Sequence, residues 1–171
     1  AEDKRVIGIV PMVYDNLNLP KQLPHQKEML GDYSSQIGDY TKLNLPAQLL
    51  TPRGKELVQI VDPYFYRDRI TVPKLIIDGA NDPYWTVDSL NLFYGDLVGP
   101  KSTFYIPNAG HNMNADNMSG AIYLLSTIQS WARIVASGKT PPAVNLVVKD
   151  TTDGKHFTAS LTGAWKAELW V

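Results

Sequence analysis

Two polar loops in this chain hold the residue types that general-base chemistry requires. Asp82 follows the apolar run PKLIID in the turn GANDP, and His111 follows TFYI in the turn PNAGHN. They are 29 residues apart, room for one helix and one strand, so a carboxylate and an imidazole leave consecutive strands on one edge of a sheet. A carboxylate beside an imidazole fixes its tautomer and stabilises the imidazolium formed when the ring takes a proton from a nucleophile. Taken singly, each residue has an ordinary structural reading. Asn-Asp-Pro is a common strand exit, with Asp as a helix N-cap and Pro preset for the first helical turn, and a lone loop histidine is usually a hydrogen-bonded structural residue. The pairing at successive strand ends, acid before base, lifts the catalytic reading above the structural one. Asp78 is the rival acid; its place inside the strand run before Gly79 gives it a structural role or turns it toward the neighbouring loop. Asp15, at the end of an earlier apolar run, faces the same edge and could touch the site, although Asp-Asn is also ordinary turn chemistry.

Strands must hold these loops. Residues 6–13, VIGIVPMV, form an apolar run almost without alternation, which predicts a strand buried on both faces of a parallel sheet. Further strands are predicted at 73–78 and 102–106. Between the first two, residues from about 15 to 70 are polar and interrupted by proline, with helical spacing over 22–37 and 53–61, the texture of a helical cap. Leu90, Phe93, Tyr94 and Leu97 predict a helix after the Asp82 turn. Met118, Ile122, Leu125, Ile128, Trp131, Ala132 and Val135 predict another over 117–137, with Gly138 and Pro141 marking its end. Alternating strands and helices imply an α/β fold with a parallel sheet. Residues 144–171 then alternate at period two, with turn signals at Asp153-Gly154 and Thr162-Gly163, predicting an antiparallel β meander. Such a meander has too little core of its own, so it is expected to lean on the α/β part or on sequence outside the chain. The domain reading is residues 1–140 as an α/β unit with its cap at about 15–70, and 141–171 as a C-terminal β region. With a core strand directly after AEDKR and the apolar ending ELWV, the chain reads as part of a larger domain.

Composition narrows the function classes. The 171 residues, 44% hydrophobic and 19% charged, suffice for one sizeable core. Sixteen basic against seventeen acidic residues, without like-charge runs, leave no electrostatic footprint for nucleic acid. The absence of cysteine excludes disulfides, zinc thiolate sites and a cysteine nucleophile. No apolar stretch reaches the ~18 residues of a membrane span. The reading calls for no cofactor and no metal.

The segments PKLIIDGANDPYWTVDS and LVGPKSTFYIPNAGHNM, with DKRVIGIVPMVYDNLNL and IVDPYFYRDRITVPK upstream, resemble the PhoPQ-activated pathogenicity-related family of α/β-hydrolase-fold proteins. The similarity covers residues from about 3 to 133 and extends less clearly into the C-terminal strands. It implies the C-terminal part of an α/β-hydrolase domain, with Asp82 as the acid and His111 as the base of a triad whose order is Ser, acid, His. It also implies a periplasmic or secreted protein. One part of the pattern is missing: no G-x-S-x-G elbow occurs, Ser34-Ser35 lies in a polar helical stretch, and Ser119 lies in the helix after His111. The implied function is hydrolysis of an ester or amide, in a small-molecule or peptide-like substrate. The nucleophile would come from the upstream half of the same domain, and the chain alone would be inert. The alternative is a non-catalytic binding or signalling protein on a hydrolase scaffold. A third possibility is a carbohydrate- or protein-binding role for the C-terminal strands.

Three aromatics flank the site as substrate-binding candidates. Tyr64, in VDPYFYRDR, either presents its hydroxyl in a pocket wall or packs the cap onto the sheet, and packing is the more ordinary role. Tyr84 and Trp85 directly follow the acid and either floor a substrate cleft or cover the next helix. His25, on a polar cap helix, and His156, in the outward register of the meander, read as exposed.

Overall fold

Alternation in KLIIDG decides how the central strand is buried. In the computed structural model, which describes residues 3–139, 141 and 144–161, this segment is β1 (Lys74–Gly79), buried along its whole length. Leu75 and Ile77 pack with Ile106, Ala109, Leu124, Trp131 and Val135 on one face, while Ile76 packs with Leu90, Phe93 and Leu97 on the other. β2 (Lys101–Ile106) pairs with β1 in parallel, Lys74 opposite Lys101 and Asp78 opposite Tyr105. Helices and two small sheets, one parallel and one antiparallel, make the fold a mixed α/β one.

Residues 6–13 run along the other side of β1, also in parallel, through bridges at Ile9–Lys74 and Met12–Ile77. Hydrogen bonds join Ile9 N–H to Pro73 O (3.0 Å), Leu75 N–H to Ile9 O, Ile77 N–H to Pro11 O and Val13 N–H to Ile77 O. A continuous ladder would need one more bond, from residue 11, and Pro11 has no N–H to give. The expected strand is therefore reduced to bridges. Nor is it buried on both faces: Val6, Ile7 and Met12 are exposed. Gly8 lets the Trp131 ring approach closely, since a β-carbon there would stand 2.9 Å from it.

The segment between the first strand and β1 is helical. It comprises α1 (Leu19–Leu30), α2 (Gly38–Lys42), α3 (Leu45–Gln48) and α4 (Pro52–Val61), with 3-10 turns at Ser35–Ile37 and Pro63–Arg69. α1 stops short of the predicted end because Gly31 takes the left-handed conformation at φ 79°. Leu23, Ile37 and Trp85 form a separate core within this segment. The helix predicted around Leu90 is instead a pair of 3-10 turns, Ser89–Leu92 and Tyr94–Asp96, broken at Phe93. Phe93, 1% exposed, takes φ -149°, which no helix accommodates.

α5 (Met118–Ala136) matches its predicted span, capped by the Asn117 side chain accepting from Gly120 N–H at 2.8 Å. Its inward stripe is Leu124, Trp131 and Val135, whereas Met118, Ile122 and Leu125 remain exposed. The helix thus has more apolar surface than the sheet of this chain covers. β3 (Asn145–Thr151) and β4 (Gly154–Ser160) form an antiparallel hairpin closed by Thr152 and Asp153, with Gly154 at φ 137°. Leu146 and Val148 stand opposite Ala159 and Phe157, as the alternation predicts, yet both strands are exposed throughout. Among the described residues the α/β part does not cover the hairpin, which leaves the other branch of the expectation, cover by sequence outside the chain. The third strand and the Thr162-Gly163 turn lie outside the described residues.

Candidate active site

The acid and the base stand on adjacent loops because β1 and β2 are in register to their ends. Beyond Gly79, Ala80 N–H donates to Ile106 O at 3.0 Å and Asn81 N–H to Ala109 O at 2.9 Å, lacing one loop to the other. A β-carbon at position 79 would come within 2.4 Å of the carbonyl oxygens of both Ala109 and Gly110, so glycine allows this approach. Ala109 and Met113 anchor the second loop in the core beneath α5, and Asn108, Met113 and Asn114 turn it through positive φ.

Nδ1 of His111 lies 2.7 Å from Oδ2 of Asp82. The Asp82 side chain is 3% exposed and that of His111 41%, so the carboxylate is shielded while the imidazole reaches solvent. The other carboxylate oxygen accepts the N–H of Tyr84 at 2.8 Å. With Nδ1 engaged, the ring's Nε2 faces the opposite way and has no partner among the described residues. Tyr84 stacks on the imidazole, centroids 4.0 Å apart and planes 29° apart. This arrangement can hold one imidazole tautomer, offer Nε2 as a base, and compensate the charge that protonation creates.

The PhoPQ-activated pathogenicity-related protein family matches residues 1–171. The chain belongs to this family. It is also similar to autocrine proliferation repressor protein A of Dictyostelium discoideum, 31% identical over 162 residues, which are 94% of this chain. The chain spans 32% of that relative's length.

The three aromatic candidates part company. Tyr84 lies against His111 and also borders a polar cleft of about 330 Å³ with Gln36, Gly38, Tyr40 and Lys42. Trp85 shares that border but is 6% exposed, packed with Leu23 and Ile37 as the anchor of the helical segment. Tyr64 is engaged elsewhere: its hydroxyl donates to Asp96 at 2.6 Å and the Arg67 guanidinium lies 4.2 Å from its ring. The structure thus brings Asp82, His111 and Tyr84 together and gives Tyr64 and Trp85 packing contacts.

Other features escaped the sequence reading. Asp15 and Asp78 are 2% and 1% exposed, and both carboxylate oxygens of Asp78 and one of Asp15 lack hydrogen-bond partners. Burial, then the charge of Asp78, pushes Asp15 up to about 7. Burial likewise pushes Asp78 up to about 6, countered in part by the Tyr14 amide, which lies near without completing a hydrogen bond. Tyr105, opposite Asp78 in the sheet, is also raised by burial, then by Asp78 and Asp15, and its hydroxyl is unpartnered. His25 is not simply exposed: Nε2 lies 3.1 Å from both carboxylate oxygens of Asp88, whose carboxyl is held low by Thr86 and His25. Gln22 and Gln26, at helical spacing in α1, are buried at 1% exposure. Their only sequence signal was a helix with too few apolar residues on its inward face.

No group of three or more metal-ligating side chains converges among the described residues. Among those residues, no helix is long and apolar enough to cross a membrane.

Proposed function

We propose that this chain supplies the acid, Asp82, and the base, His111, of a serine-type α/β-hydrolase that cleaves an ester or amide. The observation that supports it is the 2.7 Å contact between a shielded carboxylate and a solvent-reaching imidazole, at the ends of two adjacent parallel strands. In this reading a serine outside the 171 residues, from the upstream half of the domain, presents its hydroxyl to Nε2 of His111. The imidazole takes that proton as the oxygen attacks the carbonyl carbon. It later returns a proton to the leaving oxygen or nitrogen, while Asp82 stays ionised and holds Nδ1–H. Tyr84 and the cleft beside it border the substrate, a small molecule or a peptide-like chain. A periplasmic or secreted location fits the family resemblance and belongs to the same proposal.

The test is labelling of the full-length protein with a fluorophosphonate, which reports an activated serine. His111→Ala should slow labelling about 100-fold or more, the contribution of a positioned general base. His25→Ala and His156→Ala should leave it unchanged. Equal labelling by all three variants would remove His111 from the mechanism. The relative's name, a proliferation repressor, favours a second reading in which the scaffold signals without catalysis. Absence of any labelling in the wild-type protein would favour that reading.

A further inference from the structure

Ser34 and Gln26 hydrogen-bond to neither Asp82 nor His111, yet they sit at the outer end of the same hydrogen-bond chain. Oδ1 of Asp82 accepts the N–H of Tyr84 at 2.8 Å. That N–H and the carbonyl of Pro83 belong to one peptide group, and the carbonyl accepts the Ser34 hydroxyl at 2.6 Å. A hydrogen bond received at the C=O of a peptide polarises it and makes its N–H a stronger donor. Ser34 is thereby coupled through a single peptide plane to the carboxylate that holds His111. One residue further, the carbonyl of Tyr84 accepts from Nε2 of Gln26 at 2.6 Å. Oε1 of Gln26 accepts the N–H of Ser34 at 3.1 Å, so the two residues also brace each other.

We propose that Ser34 and Gln26 are positioning residues, through which the helical cap sets the geometry of the Asp82–His111 pair. The proposal rests on the reading of that pair as the acid and base of a hydrolase. Gln26, at 1% exposure, fixes the backbone of the residue whose ring stacks on His111. The cap therefore bears on the acid through the Tyr84 amide and on the base through the Tyr84 ring. Satisfaction of buried backbone groups does not account for Ser34, because the bond to Pro83 is exposed and water could replace it there.

Four variants of the full-length protein test this. Ser34→Thr keeps a hydroxyl donor. Ser34→Asp keeps an acceptor for the Gln36 N–H that Ser34 caps at 3.1 Å but cannot donate to Pro83. Ser34→Ala removes both functions, and Gln26→Met keeps side-chain length without hydrogen bonds. Fluorophosphonate labelling should slow about tenfold in the Asp, Ala and Met variants and stay near wild type in Ser34→Thr, since small displacements of a reacting group are costly. The proton resonance of His111 Nδ1–H should move in the same three variants and not in Ser34→Thr. Unfolding midpoints measured alongside separate positioning from stability. An unmoved resonance overturns the proposal whether or not labelling or stability falls. Should Gln26→Met not fold, the three substitutions at the half-buried Ser34 decide the matter. Should labelling prove independent of His111, the hydrolase reading fails, and the resonance alone still shows whether the cap positions the pair.

Discussion

Replacing Asp15 with asparagine should stabilise the protein, and by an amount that depends on pH. The carboxyl is 2% exposed, one oxygen lacks a partner, and burial beside Asp78 raises it from 3.8 to about 7. Its ionised form is disfavoured in the native state by on the order of 4 kcal/mol relative to the unfolded chain. Because the native carboxyl holds its proton more tightly than the unfolded one, its contribution to stability is fully present below about pH 3.8. It is lost progressively as pH rises through about 7. Asp15→Asn keeps the shape and removes the titration. Urea unfolding of the full-length protein at pH 4 and pH 8 should show the variant within about 1 kcal/mol of wild type at the lower pH. At the higher pH it should be more stable by about 2–4 kcal/mol, the smaller figure applying if Asp78 takes over part of the proton. A variant less stable than wild type at pH 8 would mean that a cation or donor compensates the carboxylate, and the reasoning would be wrong.

Two further perturbations address the loops. Gly79→Ala places a β-carbon 2.4 Å from two backbone carbonyl oxygens, which must retreat by about 1 Å. It should cost about 1–3 kcal/mol in denaturant unfolding and slow fluorophosphonate labelling about 100-fold by parting Asp82 from His111. Wild-type labelling in a folded variant would show that the loops tolerate separation. Trp85→Ala empties the core shared with Leu23 and Ile37 and should cost about 3–5 kcal/mol, measured in the same way. A cost below about 1 kcal/mol would show that the helical segment is not anchored there.

The meeting of Asp82 and His111 was legible from sequence because strand ends in a parallel sheet advertise themselves. Apolar runs followed by GANDP and PNAGHN place Asp82 and His111 on one edge, and strand pairing in register then brings them within hydrogen-bonding distance. Helix α5 was equally legible, because a span with both caps in its sequence depends on local bonding. Which of its apolar stripes is buried was not legible, since packing partners, not periodicity, decide between Trp131 and Leu125.

Most of what depends on residues distant in sequence was decided by the tertiary structure alone. The broken 3-10 turns around Phe93 and the burial of Asp15 follow from contacts between segments, and local spacing carries no trace of them. So does the clamp of Ser34 and Gln26 on the Pro83 and Tyr84 carbonyls, 49 and 58 residues away. Pro11 lies between the two cases: its missing N–H is written in the sequence. That the missing bond interrupts the ladder to β1 could be known only once that neighbour was in place, because a donor's absence matters only where an acceptor waits for it.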